Sequence, residues 1–449
     1  MSASSREPIL KLAKLYFQEQ IKETKFIPGE TYIPVSGKLL SEDDLCALIE
    51  SCLDCWLTSG RFAESFEEEF ALYVRAKHAL LTNSGSSANL LAMTALTSPL
   101  LGKRRLVPGD EVITAATGFP TTLNPIFQNG LTPVFIDSTL QTYNANIEQI
   151  EKSISSKTKA IIFAHTLGNP FPLDQVKALA DKYQLWFIED CCDALGSIYD
   201  GHPVGSYGDI ATYSFYPAHH ITMGEGGAVT TNRALLKKIL LSFRDWGRDC
   251  WCNPGCDNTC KKRFGQQFGD LPFGYDHKYV YSHIGYNLKV TDMQAAIGLS
   301  QLKKLPNFVQ KRRKNFDLLH EELKPLEDHL LLPKATDNSL PSWFGFPITV
   351  SEKRHELVQY LEKNKIGTRL LFGGNLTKQP AYKGTFYRIA TPLVISDQIM
   401  RETFWIGLHP NIQPSMIAYI GATFRAALTE LEIKPLKSTL NLYENIMNR

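Results

Sequence analysis

Short apolar runs recur through the middle of the chain, at 111–115, 160–164, 185–190 and 227–231. Each is too brief and too uniformly apolar for a surface helix, so each is read as a buried strand. Helical spacing fills the intervals, as at 173–183, where Leu173, Val176, Ala180 and Tyr183 fall three and four residues apart. Strands alternating with helices predict an α/β fold, with a mostly parallel sheet flanked by helices. Such sheets take ligands beyond the carboxyl ends of their strands. Ser86, Phe119, Asp190 and Ser214 all fall at or just past such ends.

The outer parts read differently. Ile9, Leu12, Leu15 and Tyr16 have the spacing of an amphipathic helix, so 1–35 is expected to be an N-terminal helical segment. Residues 36–330 would form a large ligand-binding domain. Within it, 248–281 breaks the rhythm: it is rich in Cys, Gly, Pro, Asp and Lys, and predicts an irregular insertion. Residues 331–449 read as a smaller α+β domain, with a strand at 342–350 and helices at 355–364 and 396–404.

Composition narrows the class. The chain has 449 residues, 43% hydrophobic and 21% charged, ordinary for a globular enzyme. A formal net charge of +2 gives no nucleic-acid footprint, and no apolar run reaches membrane-spanning length. The first residues lack the layout of a secretory signal, so a cytoplasmic location is expected. Nine cysteines are clustered, with Cys191 and Cys192 adjacent and Cys250, Cys252, Cys256 and Cys260 inside eleven residues. In a long cytosolic chain that clustering points to metal or redox chemistry more than to disulfides.

Several segments carry candidate chemistry. SGSSAN (84–89) puts small residues at the start of a helix, where backbone N–H groups suit a phosphate, or where a serine simply caps the helix. Asp190 ends a strand, where a carboxylate can pair with a protonated pyridine nitrogen, or only cap a loop. Phe119 offers a ring for stacking, or a core contact, and Ser214 a hydroxyl for the phosphate, or a strand end.

Together with GFPTTLNP (118–125), EDCCDALGS (189–197), SFYPAHHITMGEGG (214–227) and GYNLKVTDMQAAIG (285–298), these segments resemble the DegT/DnrJ sugar aminotransferases. Those are fold-type I enzymes that use pyridoxal phosphate. The resemblance implies cofactor contacts at Gly85, Ser86, Ser87, Phe119, Asp190 and Ser214. It implies a further contact from Asn287 of a second subunit, and hence a homodimer; a turn asparagine is the plainer reading of that residue. Two positions depart from the pattern. Where the family has its Schiff-base lysine, this chain has His219, and no lysine occurs between Lys182 and Lys237. Asp193 stands where His or Gln is common, so the cofactor O3′ contact is not carried over.

Histidine cannot form the stable imine that lysine forms, so a noncovalently held pyridoxamine phosphate is expected. An imidazole can instead act as general base for removing a proton. His219 fits that role by its match to the lysine, with adjacent His220 as rival.

Cys192, Cys250, Cys252 and Cys260 follow no ferredoxin spacing, and zinc competes on spacing alone. Cys192 lies two residues past Asp190, so a metal there would sit near the cofactor. Histidine and cysteines together are similar to the lysine-less, iron–sulfur CDP-4-keto-6-deoxyglucose 3-dehydrases, a match running through 245–267, 343–349 and 368–377. That resemblance implies a [2Fe–2S] cluster on the four cysteines and a nucleotide-sugar substrate. It also implies a separate NADH-fed reductase carrying flavin and an iron–sulfur centre. Lys261, Lys262 and Arg263 could dock such a partner, or form a solvated loop. Arg369 and Asn375 are weaker candidates for the nucleotide phosphates. Competing readings are a dTDP-sugar dehydratase with another electron donor, a zinc-holding dehydratase, and a catalytically silent scaffold.

Overall fold

The computed structural model describes residues 3–20, 25–252, 254–259 and 261–436; Cys260 lies outside the described residues. Its centre is an eight-stranded sheet. In spatial order the strands are His78–Thr82, Gly227–Thr231, Ile210–Ser214, Trp186–Asp190, Thr158–Ala164, Glu111–Ala115, Thr132–Ile136 and Arg388–Ile389. Only Gly227–Thr231 runs against its neighbours; all other adjacent pairs are parallel.

The uniform apolar runs have a direct cause: both faces of the sheet are covered. Ile113, Val134, Ile161, Phe163 and Phe187 enter one core. The alternate positions Val112, Phe135, Ala160, Ile162 and Ile188 enter the other. Side chains on a strand alternate faces, so one run must be apolar throughout to serve two cores.

Helices Glu42–Leu53 and Arg61–Tyr73 pack against the long helix Asp292–Leu323. That helix joins two regions. Ala295, Leu302, Leu305 and Phe308 lie in the first core of the large sheet. Leu319 and Leu323 enter a third core with Phe346, Ile348, Phe404 and Phe424. The third core sits on a four-stranded antiparallel sheet of Leu330–Leu331, Gly345–Val350, Thr403–Gly407 and Thr368–Leu370. Phe26 and Ile33 join this C-terminal core, while Leu376, Tyr382 and the strand Arg388–Ile389 return to the large sheet.

Two expectations need correction. The helix expected at 396–404 is Val394–Glu402, and Phe404 belongs to the strand Thr403–Gly407. There Phe404 is fully buried in the third core. The N-terminal helix Ala3–Gln20 exists, but Ile9, Leu12, Leu15 and Tyr16 face solvent. It docks instead through a stripe containing Arg6, Leu10, Ala13 and Lys14. Ion pairs Arg6–Asp54 at 2.9 Å and Lys14–Asp43 at 3.2 Å fix that rotation. Among its described residues, 248–281 holds the single short 3-10 turn His277–Tyr279. No helix of the described residues is long and apolar enough to cross a membrane.

The strand that ends at Ser214 is clamped beneath by aromatics. Phe66 stacks on Phe70 at 5.3 Å and meets the Phe215 ring edge-on at 5.3 Å. All three are fully buried. Phe66→Ala should therefore cost about 3–5 kcal/mol, read as a fall in the urea unfolding midpoint.

Candidate active site

A cavity of about 720 Å³ opens at the carboxyl ends of the parallel strands. Ser84, Gly85, Ser86, Phe119, Asp190, Cys192, Asp193, Ser214 and His219 line it, and no lysine is among its described lining residues.

One end is a helix start. Ser84 caps the helix Gly85–Ala95, its hydroxyl accepting the Ser87 N–H at 3.0 Å. Ser87 is thus tied to the cap and is not among the cavity-lining residues, whereas Ser86 is exposed toward the cavity. Two glycines allow close approach. A Cβ on Gly85 would lie 2.5 Å from Ser214 Cβ and 3.0 Å from Cys192 Sγ. One on Gly227 would lie 2.4 Å from the Ser84 carbonyl. The helix start and Ser214 therefore form a tight cup of N–H and hydroxyl donors, closed on one side by the Cys192 thiol, which fits a phosphate.

Asp190 ends the fully buried strand Trp186–Asp190. Its Oδ2 accepts Asn89 Nδ2 at 2.8 Å and Thr122 Oγ1 at 2.7 Å, and its Oδ1 accepts the Cys192 N–H at 3.1 Å. Thr212 in turn donates to Asn89 Oδ1 at 2.6 Å, which fixes the amide with its NH₂ toward the carboxylate. Three donors hold a buried carboxylate, as a pyridinium partner needs. Phe119 stands half exposed at the start of helix Pro120–Gln128, its ring edge-on to Phe372 at 6.4 Å. Cup, carboxylate and aromatic wall fit the three parts of a vitamin B6 cofactor.

The histidines separate clearly. His219 lines the cavity beside Phe344, its ring centre 5.1 Å away. Its Nδ1 is buried, 3.4 Å from Asp193 Oδ1, a close contact not aligned as a hydrogen bond. His220 points elsewhere, donating from Nε2 to the Ser342 carbonyl at 2.7 Å. Burial first, then the Arg312 cation, lowers the His219 imidazole to about 3, so it is neutral at neutral pH. Burial and the Asp190 charge raise Asp193 to about 8.

Arg312 has no local signal in the sequence, because it sits within a long polar helix. It is 1% exposed and donates to the carbonyls of Trp343, Phe344 and Leu408. It thereby ties the Phe344 wall to the helix Asp292–Leu323. Tyr216, Leu370, Phe372 and Trp405 also line the cavity, and sequence spacing did not single them out. Arg369 lines it as an exposed cation. Asn375 does not; its oxygen caps the turn at Thr377 and its NH₂ donates to Asp397 on the helix Val394–Glu402.

The cysteines are distributed. Cys192 is on the cavity wall. Burial first, with Asp190 and Asp193 nearby, pushes its thiol well up. Cys250 and Cys252 sit half-buried in the insertion and are not among the lining residues. Thr259 Oγ1 lies 2.9 Å from Cys252 Sγ. Among the described residues, the compact group of three ligand atoms is His165, Glu189 and Cys191, not these thiols. Glu189 there already accepts the N–H groups of Gly205 and Tyr207 at 2.7 and 2.9 Å. Cys191 is fully buried in the first core of the large sheet. Arg263 is committed to Asp276 at 2.7 Å, which leaves Lys261 and Lys262 as the exposed cations of that basic run. Asn287 is exposed and is not among the lining residues of its own chain's cavity.

Comparison with known proteins defines the class first. The architecture is that of the pyridoxal-phosphate-dependent aminotransferase fold. The E. coli GDP-4-keto-6-deoxy-D-mannose-3-dehydratase, solved with bound hydrated PLP, superposes with a TM-score of 0.79 at 28% identity, over 88% of this chain and all of that one. The chain belongs to the DegT/DnrJ/EryC1/StrS aminotransferase family, which matches residues 39–425. It is 56% identical to the lipopolysaccharide biosynthesis protein RfbH of Salmonella typhimurium, covering 93% of this chain and 97% of that protein. It is 53% identical to the dTDP-4-dehydro-2,6-dideoxy-D-glucose 3-dehydratase of Saccharopolyspora spinosa, covering 94% and 91%.

Asp190→Asn keeps the shape but removes the charge and sets an NH₂ against one of its present donors. Pyridoxamine phosphate affinity should fall about 10- to 150-fold, the worth of one charged hydrogen bond. Fluorescence titration measures it, with circular dichroism checking the fold.

Proposed function

We propose that this chain removes the C3 hydroxyl of a nucleotide-linked 4-keto-6-deoxyhexose, with pyridoxamine phosphate held noncovalently and a [2Fe–2S] cluster beside it. CDP is the proposed carrier, and 3,6-dideoxyhexose biosynthesis the proposed setting. One observation carries this reading: a neutral imidazole, His219, lines the cavity, and no lysine does among the described lining residues. An aminotransferase fold without its amine cannot recycle its cofactor covalently, but a base at that place can move a proton.

Pyridoxamine phosphate bound there would supply an amine for the sugar ketone and a ring that accepts electrons. Gly85, Ser86 and Ser214 would hold the phosphate, and Asp190 the ring nitrogen. Phe119 would cover the ring and help exclude water. His219, on the cavity wall with its ring also meeting the Cys192 main chain, would take the cofactor's methylene proton. His220 is not among the cavity-lining residues, and its Nε2–H is held by the Ser342 carbonyl. Arg369, a cation at the cavity, suits the nucleotide diphosphate. The thiols of Cys192, Cys250, Cys252 and Cys260 suit iron by donor chemistry, and the cluster would supply single electrons. A separate NADH-fed flavin and iron–sulfur reductase would feed it, and a homodimer would bring Asn287 to the phosphate of the neighbouring site.

A second reading keeps the reaction and changes the carrier. The relative that is 53% identical acts, by its name, on a dTDP-linked sugar. Turnover with CDP- and dTDP-linked ketosugars of the same hexose separates the two readings.

Two outcomes are expected. His219→Asn should bind pyridoxamine phosphate as before and lose dehydration by about 10²–10⁴-fold, followed as substrate loss by mass spectrometry. Unchanged turnover would sink the base assignment. Anaerobically isolated protein should contain iron and acid-labile sulfide in equal amounts; their absence would remove the cluster.

A further inference from the structure

The segment that carries Asn287 is pinned by its backbone. Tyr286 N–H donates to Phe243 at 2.7 Å, and Leu288 N–H to Arg244 at 3.0 Å. The Leu288 carbonyl accepts from Asn83, one residue before the Ser84 cap. Residue 287 pairs with Asp245 across an isolated bridge. Its side chain is therefore set on a fixed support, flanked by exposed Tyr281 and by Ile284, which is 96% exposed.

Lys289 sits beside it and is unusual for a lysine. Its side chain is only 8% exposed. The ammonium lies 3.4 Å from the centre of the Trp246 ring. Asp245 Oδ1 is farther, at 3.9 Å, and that carboxylate is already engaged by Arg244 Nε at 2.9 Å. The short contact of Lys289 is to Asn287 Oδ1, at 2.6 Å. An ammonium has donors only, so the amide must present its oxygen to it. The NH₂ must then face away. Among the described residues no acceptor is bonded to it.

We propose that Lys289 is a positioning residue, locking the Asn287 amide oxygen inward so that its NH₂ is delivered, already oriented, to the cofactor phosphate of a second copy of this chain. The inference rests on the reading that a B6 phosphate is bound and that Asn287 is supplied between subunits. An unheld amide must give up its own contacts and be turned by the phosphate, and its oxygen, if it faces the phosphate, repels. The Trp246 face fixes the ammonium by cation–π attraction without neutralising it.

The test compares pyridoxamine phosphate with pyridoxamine, which lacks the phosphate, on full-length protein by calorimetry. Lys289→Met should weaken the phosphorylated ligand roughly tenfold and leave pyridoxamine unchanged. Lys289→Arg should restore affinity to within about twofold, since a guanidinium also donates only. Added to Asn287→Ala, Lys289→Met should cost nothing more, because the two act as one unit. A further loss in the double variant, or a phosphate-independent loss, would overturn the positioning role. So would an effect of Asn287→Ala unaccompanied by any effect of Lys289→Met, and in both cases the B6 reading would stand. If Asn287→Ala itself binds pyridoxamine phosphate normally, the shared-site reading fails and the proposal with it. If Lys289→Met does not fold, Lys289→Gln serves: it keeps a donor without the charge and should bind as the parent does.

Discussion

Everything at this site depends on keeping a carboxylate buried at the end of a buried strand. Asp190 is 4% exposed, and an unpaired charge there would be prohibitive. Its three donors come from three places: the helix behind the phosphate cup, the helix that starts at Phe119, and the turn into Cys192. Satisfying one charge therefore fixes the phosphate cup, the aromatic wall and the first proposed metal ligand relative to one another. Thr212, on the next strand, orients Asn89 and extends the same network.

A second constraint acts from the other side. The Arg312 guanidinium is buried against main-chain carbonyls, and burial lowers it to about 10. Its charge, added to desolvation, keeps His219 and His220 neutral. One consequence is chemical division between adjacent residues. His220 gives its ring proton to Ser342 and lies off the cavity lining. His219 lines the cavity. The proposed switch from amine donation to dehydration thus needs no new fold, only an imidazole where an amine would stand.

Much of this was legible in the chain. The uniform apolar runs located the central strands, because a sheet covered on both faces demands them. Residues just past those strands located the cavity, since loops at that edge have nowhere else to project. Asp190, Ser214, Phe119, Ser86 and His219 all reach it. Ser87 and Asn375 were less legible. Their polar groups are absorbed by local caps, and a capping serine or asparagine looks in sequence like a binding one. The apolar stripe of the first helix misled for a similar reason: its rotation is set by ion pairs to Asp54 and Asp43, not by hydrophobicity.

The sequence alone determined the layer architecture, the edge of the sheet at which the cavity opens and the missing lysine, because each follows from residue type and spacing within a few neighbours. Only the tertiary structure decided which histidine faces the cavity. It also decided that Arg312 lies behind the pair and that Lys289 holds the Asn287 amide. Those are orientations of side chains, and an orientation is fixed by partners across the fold. Ser342 lies 122 residues from His220, a separation over which local pattern carries no information.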